Sequence, residues 1–93
     1  MSGPEGKIEQ AFARYCRTRG VLCLKLEVAS QAGFPDRTVI GPGFVFFVEF
    51  KRDMRCQPSG RQEWWIHELK QRGQAAFVCY SLKDAVEVLE SYL

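Results

Sequence analysis

The most apolar stretch of the chain runs from Phe44 to Lys51 and becomes charged only at its end, with Glu49 and Lys51. Apolar side chains fill both alternating rows before that point, which is typical of a central strand covered on two faces. The preceding Gly41-Pro42-Gly43 predicts a tight turn, and 36–41 predicts a strand pairing antiparallel with 44–51. The pattern therefore predicts a β-hairpin in the middle of the chain.

Apolar residues at helical spacing predict three helices, at about 5–19, from Ser59 to about Arg72, and from Ser81 onward. Pro4 and Gly20 bound the first helix, and Ser59 with Gln62 forms a capping-box pattern at the start of the second.

Two further strands are predicted, Val21 to Val28 and Ala75 to Tyr80. In the first of them the leucines at 22, 24 and 26 alternate with the more polar row of Cys23, Lys25 and Glu27. The leucine row is therefore expected to face inward. The predicted order is helix, three strands, helix, strand, helix. A helix joins the last two strands, so a right-handed crossover makes them parallel. The fold class is therefore α/β, with a mixed four-stranded sheet and helices on both faces.

The 93 residues are expected to form one domain, 1–93, with a modest core. The N-terminus lacks a secretory signal pattern and no apolar run could span a bilayer, so a reducing cytoplasmic setting is expected. The four cysteines form no C-x-x-C pair and are expected to be free thiols. A net charge of +2 does not by itself indicate nucleic-acid binding, although a basic stretch follows the hairpin at Lys51, Arg52, Arg55 and Arg61.

Three charged residues flank the hairpin and are expected to share one corner of the sheet. Glu49 and Lys51 project from the same face of their strand, and Asp36 begins the neighbouring strand. Buried carboxylates need a cationic partner, and Mg²⁺ accepts one or two carboxylates with water and phosphate. Lys51 could then orient water and neutralise phosphate, which is the chemistry of phosphodiester hydrolysis. An ion pair between Lys51 and either carboxylate, with no catalytic role, is an equal alternative at this point.

Two polar residues lie beside apolar helix stripes. Glu9 could turn toward the corner of the sheet, or could be an exposed glutamate favourable to the helix dipole. Gln62 heads the stripe of the second helix and could enter the site, or could serve only as the capping partner of Ser59. His67 lies off the stripe and is predicted to be a surface residue. Trp64 and Trp65 cannot both face the core, so one is expected at a groove, a dimer contact or a DNA contact, with simple packing within the protein as the more common alternative.

Taken together, these residues resemble the VRR-NUC (virus-type replication-repair nuclease) domain of the PD-(D/E)xK nuclease superfamily over nearly the whole chain. The resemblance is carried by Glu9, Gly33-Phe34-Pro35-Asp36-Arg37, Val48-Glu49-Phe50-Lys51-Arg52, Ser59 with Gln62, Leu69 and Gly73. It implies a restriction-endonuclease-like fold and a Mg²⁺- or Mn²⁺-dependent DNA endonuclease. It also implies the site roles: Asp36, Glu49 and the Phe50 carbonyl bind metal, Lys51 is the catalytic lysine, Glu9 supports metal or water, and Gln62 lies near the scissile phosphate.

The resemblance further implies a partner and a setting. Free-standing members of the family, typically from phages and prophages, look like Holliday-junction resolvases that act as homodimers on branched DNA in repair. The expected location is thus the cytoplasm of a bacterial or phage-infected cell. The alternatives are a flap nuclease, a sequence-specific restriction-type nuclease, and a DNA-binding module that keeps the fold without hydrolysis.

Overall fold

A computed structural model describes residues 3–93. The helices are α1 (Pro4–Thr18), α2 (Gly60–Gln71) and α3 (Leu82–Tyr92). The strands are β1 (Leu22–Leu24), β2 (Arg37–Gly41), β3 (Phe44–Phe50) and β4 (Ala75–Cys79). The predicted order is confirmed, and apart from β1 the predicted bounds differ from these by a single residue. None of the helices within residues 3–93 combines the length and the apolar character that crossing a membrane requires.

The four strands form one mixed sheet in the order β1-β2-β3-β4. β1 and β2 are antiparallel, β2 and β3 are antiparallel, and β3 and β4 are parallel. The hairpin turn leaves Gly41 paired with Phe44, which sets the register of the whole hairpin and places Arg37 opposite Val48. The start of β2 therefore lies beside the end of β3, as the sequence predicted.

The helices cover the two faces of the sheet unequally. α1 and α3 bury one face, where Phe12 and Leu89 pack with Phe46, Val48 and the rest of the core. α2 lies on the other face over β4, and none of its residues is fully buried. This second face is consequently open near β1 and closed near the end of β3.

The prediction for the first strand is wrong in both its length and its inward face. β1 spans only Leu22–Leu24, and its register would set Pro35, which has no N–H, opposite residue 27, so pairing could not continue over the whole of the predicted 21–28 strand. The register also pairs Cys23 with Val39 on the face beneath α1. The leucine row therefore points to the open face, and Leu22 is 57% exposed.

The loop before β2 is held against α2 at Gly33. This residue has φ +90°, and a Cβ built on it would lie 2.7 Å from the Arg61 Cβ. We expect Gly33→Ala to lower the free energy of unfolding by about 2–4 kcal/mol, because backbone strain and a clash add together. Gly20 is a matched control, since it has φ +71° but, in the part of the chain from residue 3 to 93, no atom that a Cβ would meet within 4 Å. Gly20→Ala should cost only about 1 kcal/mol in urea unfolding, and equal losses in the two variants would contradict the close approach.

Candidate active site

The register of the hairpin brings Asp36 and Glu49 to one end of the sheet. Asp36 immediately precedes β2, and Glu49 is the next-to-last residue of β3. The Asp36 Oδ2 accepts a hydrogen bond from the Phe50 backbone N–H at 2.8 Å. This bond fixes the Asp36 carboxylate against the end of β3, beside Glu49.

Glu49 is a buried carboxylate, 2% exposed, with its two oxygens in different environments. Oε2 accepts a hydrogen bond from Gln62 Nε2 at 2.6 Å and lies 3.6 Å from Lys51 Nζ. Oε1 is buried and has no hydrogen-bond partner among residues 3–93. A buried oxygen without a partner carries a desolvation cost of about 1–3 kcal/mol, which a bound cation would relieve.

The two carboxylates oppose each other's ionisation. Burial and, second to it, the negative charge of Asp36 raise the pKa of Glu49, Lys51 partly offsets both, and the resulting pKa is about 7. Burial also raises the pKa of Asp36, while the Phe50 N–H lowers it. Both pKa values stay raised, so the nearby ammonium groups of Lys51 and Lys25 do not fully offset burial and repulsion.

Gln62 performs both of the roles that the sequence left open. Its backbone N–H donates to Ser59 Oγ at 3.2 Å, and its Oε1 accepts from the Ser59 N–H at 2.8 Å, completing the capping box. The same side-chain amide donates through Nε2 to Glu49. The cap thus orients the amide, and the amide orients the Glu49 carboxylate.

Glu9 is 2% exposed, so the alternative of an exposed first-turn glutamate is wrong. Its Oε2 accepts a hydrogen bond from Arg37 Nε at 2.7 Å and lies 3.5 Å from Lys25 Nζ. Its charge nevertheless contributes to the raised pKa of Asp36. Glu9 is therefore tied to the residue that follows Asp36, and its predicted support of metal or water stays a prediction.

Sequence reasoning missed Arg37 and Lys25 as partners of Glu9. Both are far from Glu9 along the chain, so no local periodicity could reveal the contact. The available signal was the position of Arg37 directly after Asp36. His67 is exposed, as predicted.

The donor set fits Mg²⁺ or Mn²⁺. Within residues 3–93 no three or more His, Cys, Asp and Glu side chains gather as a metal-binding group. Mg²⁺, however, is usually held by one or two carboxylates and completed by water and substrate phosphate. Asp36 and the Oε1 of Glu49, which has no partner among residues 3–93, supply hard oxygen donors of that kind.

The raised pKa of Glu49 predicts a pH-dependent stability when divalent cations are chelated. Folded Glu49 keeps its proton up to about pH 7, while the unfolded chain releases it at the ordinary glutamate pKa. Between the ordinary glutamate pKa and about pH 7 the folded state binds more protons than the unfolded chain. The free energy of unfolding should therefore fall as pH rises through this range, by up to about 3 kcal/mol. Asp36, whose pKa burial also raises, adds a fall of the same sign.

Chemical denaturation at several pH values in EDTA measures this dependence. Glu49→Gln cannot titrate and should flatten the curve in this window. An unchanged slope in Glu49→Gln would show that other groups cause the fall.

A mixed sheet whose hairpin carries Asp36 and the Glu49-Phe50-Lys51 segment at one end defines a nuclease of the PD-(D/E)xK type. A scan of the sequence against family models gives no match, and a search of curated proteins gives none either. Among solved structures, one described as "VRR_NUC domain" superimposes with a TM-score of 0.88 at 30% sequence identity. The match covers 99% of this chain and 100% of the other. The chain belongs to the VRR-NUC family.

Proposed function

We propose that the protein is a Mg²⁺- or Mn²⁺-dependent endonuclease that hydrolyses phosphodiester bonds in branched DNA. The observation that carries the proposal is the buried Oε1 of Glu49, which has no partner among residues 3–93 and lies beside Asp36, with Lys51 Nζ 3.6 Å from the other oxygen. A divalent cation bound there would lower the pKa of a coordinated water and offset negative charge on the phosphate.

Each residue of the site has its own role in the proposed hydrolysis. Asp36 and Glu49 would hold the cation, with the Phe50 carbonyl as a further donor. Lys51 is 20% exposed in its side chain, so its ammonium can reach both the site and a bound phosphate. It orients the attacking water and neutralises charge that develops on the phosphate. Gln62 holds the Glu49 carboxylate in place near the scissile phosphate.

Glu9 acts in this proposal as a positioning residue. Its ion pair with Arg37 anchors the first residue of β2, immediately after Asp36. The negative charge of Glu9 also favours binding of a cation at the neighbouring carboxylates. Both effects reach the site through Asp36.

DNA would approach along the basic stretch that follows β3. Arg52, Arg55 and Arg61 are exposed, and Lys51 joins this stretch to the carboxylates. Asp53 lies within 3.8 Å of Arg52 and 3.3 Å of Arg55, which reduces their net charge. Contacts between this stretch and DNA phosphates would give binding without sequence preference. The affinity for DNA should therefore fall as salt is added.

A homodimer is the proposed oligomeric state. The open sheet face carries exposed apolar side chains at Leu22 and Val45, and Leu26 in the segment after β1 is exposed as well. A second copy covering this face would bury apolar surface that a small core leaves in water. A twofold axis would supply two active sites, as cutting two strands of a four-way junction in the manner of a resolvase requires. The proposed setting is the cytoplasm of a bacterial or phage-infected cell.

The test compares linear duplex, single strand, flap and four-way junction with Mg²⁺, with Mn²⁺ and with chelator, beside sedimentation of the free protein. We expect a dimer that makes symmetrical nicks in the junction and loses activity in chelator. Cleavage of flaps alone, or of linear duplex at defined sites, would contradict the resolvase-like reaction. Binding without any cleavage would identify a silent DNA-binding module.

A further inference from the structure

An open cleft of about 480 Å³ lies on the flank of α2. One of its walls belongs to the loop that leads into Asp36, and the other belongs to the first turns of α2, which also carry Gln62. The volume falls in the range of about 300–1,000 Å³ that is usual for small-ligand sites. The lining residues are Gln31, Ala32, Gly60, Arg61, Trp64 and Trp65.

Trp65 forms a fixed part of the cleft. Its indole Nε1 donates a hydrogen bond to the Ala32 carbonyl at 3.1 Å, which joins the helix to the loop. Its ring also meets Phe34 nearly at a right angle, with centroids 5.0 Å apart. Trp65 is therefore held by contacts within the protein.

Trp64 is held much less completely and is 53% exposed. Among the aromatic rings of residues 3–93 it meets only that of Trp65, at a centroid distance of 5.2 Å and an interplanar angle of 81°. In such an edge-to-face pair one ring offers its edge, so at least one face of Trp64 stays uncovered by Trp65. The cleft thus presents a flat aromatic surface that the fold leaves in water.

The other polar groups of the cleft suit a nucleotide. Arg61 is exposed and lies one residue before Gln62, where its guanidinium can meet a backbone phosphate. Gln31 offers both a donor and an acceptor to the edge of a base. Every nucleobase has a π-face that can stack on an indole whatever the sequence, whereas the faces of paired bases inside a duplex are already stacked.

We propose that this cleft binds one unpaired nucleobase, stacked on Trp64, with Arg61 on the adjoining phosphate. The proposal rests on the proposed nuclease function; because the bases of an intact four-way junction are paired, the seated base would be one that is released from pairing at the branch point. Both walls of the cleft are joined directly to site residues, Asp36 through the loop and Gln62 through the helix. An unpaired base seated there would hold its own strand beside the site, so substrates with unpaired bases would be preferred over blunt duplex.

The test measures binding of a short fluorescein-labelled oligothymidylate and of a blunt duplex by anisotropy in EDTA. Trp64→Leu keeps an apolar side chain but removes the aromatic face, and should weaken oligothymidylate binding on the order of tenfold. Trp64→Phe keeps a face and should retain most of the affinity. Duplex binding should change far less in both variants. His67→Ala, on the same helix and outside the lining of the cleft, is the matched control.

Equal oligothymidylate affinity in Trp64→Leu and the wild type would overturn the proposal, as would equal losses in the Leu and Phe variants. A shift from dimer to monomer in Trp64→Leu on sedimentation would also overturn it, because the cleft would then be an interface between copies. Cleavage of branched DNA with Mg²⁺ is measured separately. If the wild type cleaves branched DNA but its oligothymidylate binding does not depend on Trp64, the nuclease function stands and the cleft proposal fails. If oligothymidylate binding depends on Trp64 but the wild type never cleaves, the cleft proposal stands and the nuclease function fails.

Discussion

Lys51→Ala is expected to lower the rate of DNA cleavage by roughly a thousandfold, while the protein still folds and binds DNA. Its ammonium is the cation closest to Glu49 within residues 3–93, with Nζ 3.6 Å from Oε2. Removing it takes away a positive charge from the place where the phosphate would gain negative charge. Single-turnover cleavage at saturating enzyme separates this loss from any change in affinity.

Two variants control for the loss at Lys51. Lys51→Arg keeps the charge but changes its geometry, so partial activity is expected. Lys70→Ala removes an exposed lysine from α2 and should leave cleavage unchanged. Full Mg²⁺-dependent activity in Lys51→Ala would refute the mechanism.

Asp36→Ala is expected to abolish cleavage and to remove the binding of Mn²⁺ that calorimetry would detect in the wild type. The substitution has a second effect, because Asp36 also accepts the Phe50 N–H at 2.8 Å. Phe50 is buried, so leaving its N–H without a partner should cost about 1–3 kcal/mol of unfolding free energy. A loss of activity in Asp36→Ala could thus arise from either cause.

Asp36→Asn separates the two effects. Its side-chain carbonyl can still accept the Phe50 N–H, so stability should stay near that of the wild type. The carboxylate charge is gone, so Mn²⁺ binding and cleavage should still be lost. Removing this charge should also lower the pKa of Glu49, which the Asp36 carboxylate raises. Wild-type heats of Mn²⁺ binding in Asp36→Asn would show that the cation lies elsewhere.

The corner of Asp36, Glu49 and Lys51 could be predicted because it depends on short-range rules. Strand alternation places Glu49 and Lys51 on one face, and a tight turn sets the register that brings Asp36 beside them. No long-range information is needed for that step. The predicted four-stranded mixed sheet followed similarly from one hairpin and one helical crossover.

The inward face of β1 could not be predicted in the same way. Alternation divides Leu22 and Cys23 between two faces, but it does not say which face a helix will cover. α1 and α3 bury the face of Cys23, and α2 does not extend over Leu22. The more apolar row was therefore assigned to the wrong side.

The sequence by itself determined the order of elements, the central hairpin and the three charges at its end, since these follow from periodicity and turn chemistry between near neighbours. The tertiary structure decided what those charges meet. Packing of α2 set Gln62 on one oxygen of Glu49, left the other unpartnered, and opened the cleft beside Trp64. Packing of α1 joined Glu9 to Arg37. Such contacts join residues that are distant in the chain, and their geometry depends on how whole helices pack against the sheet.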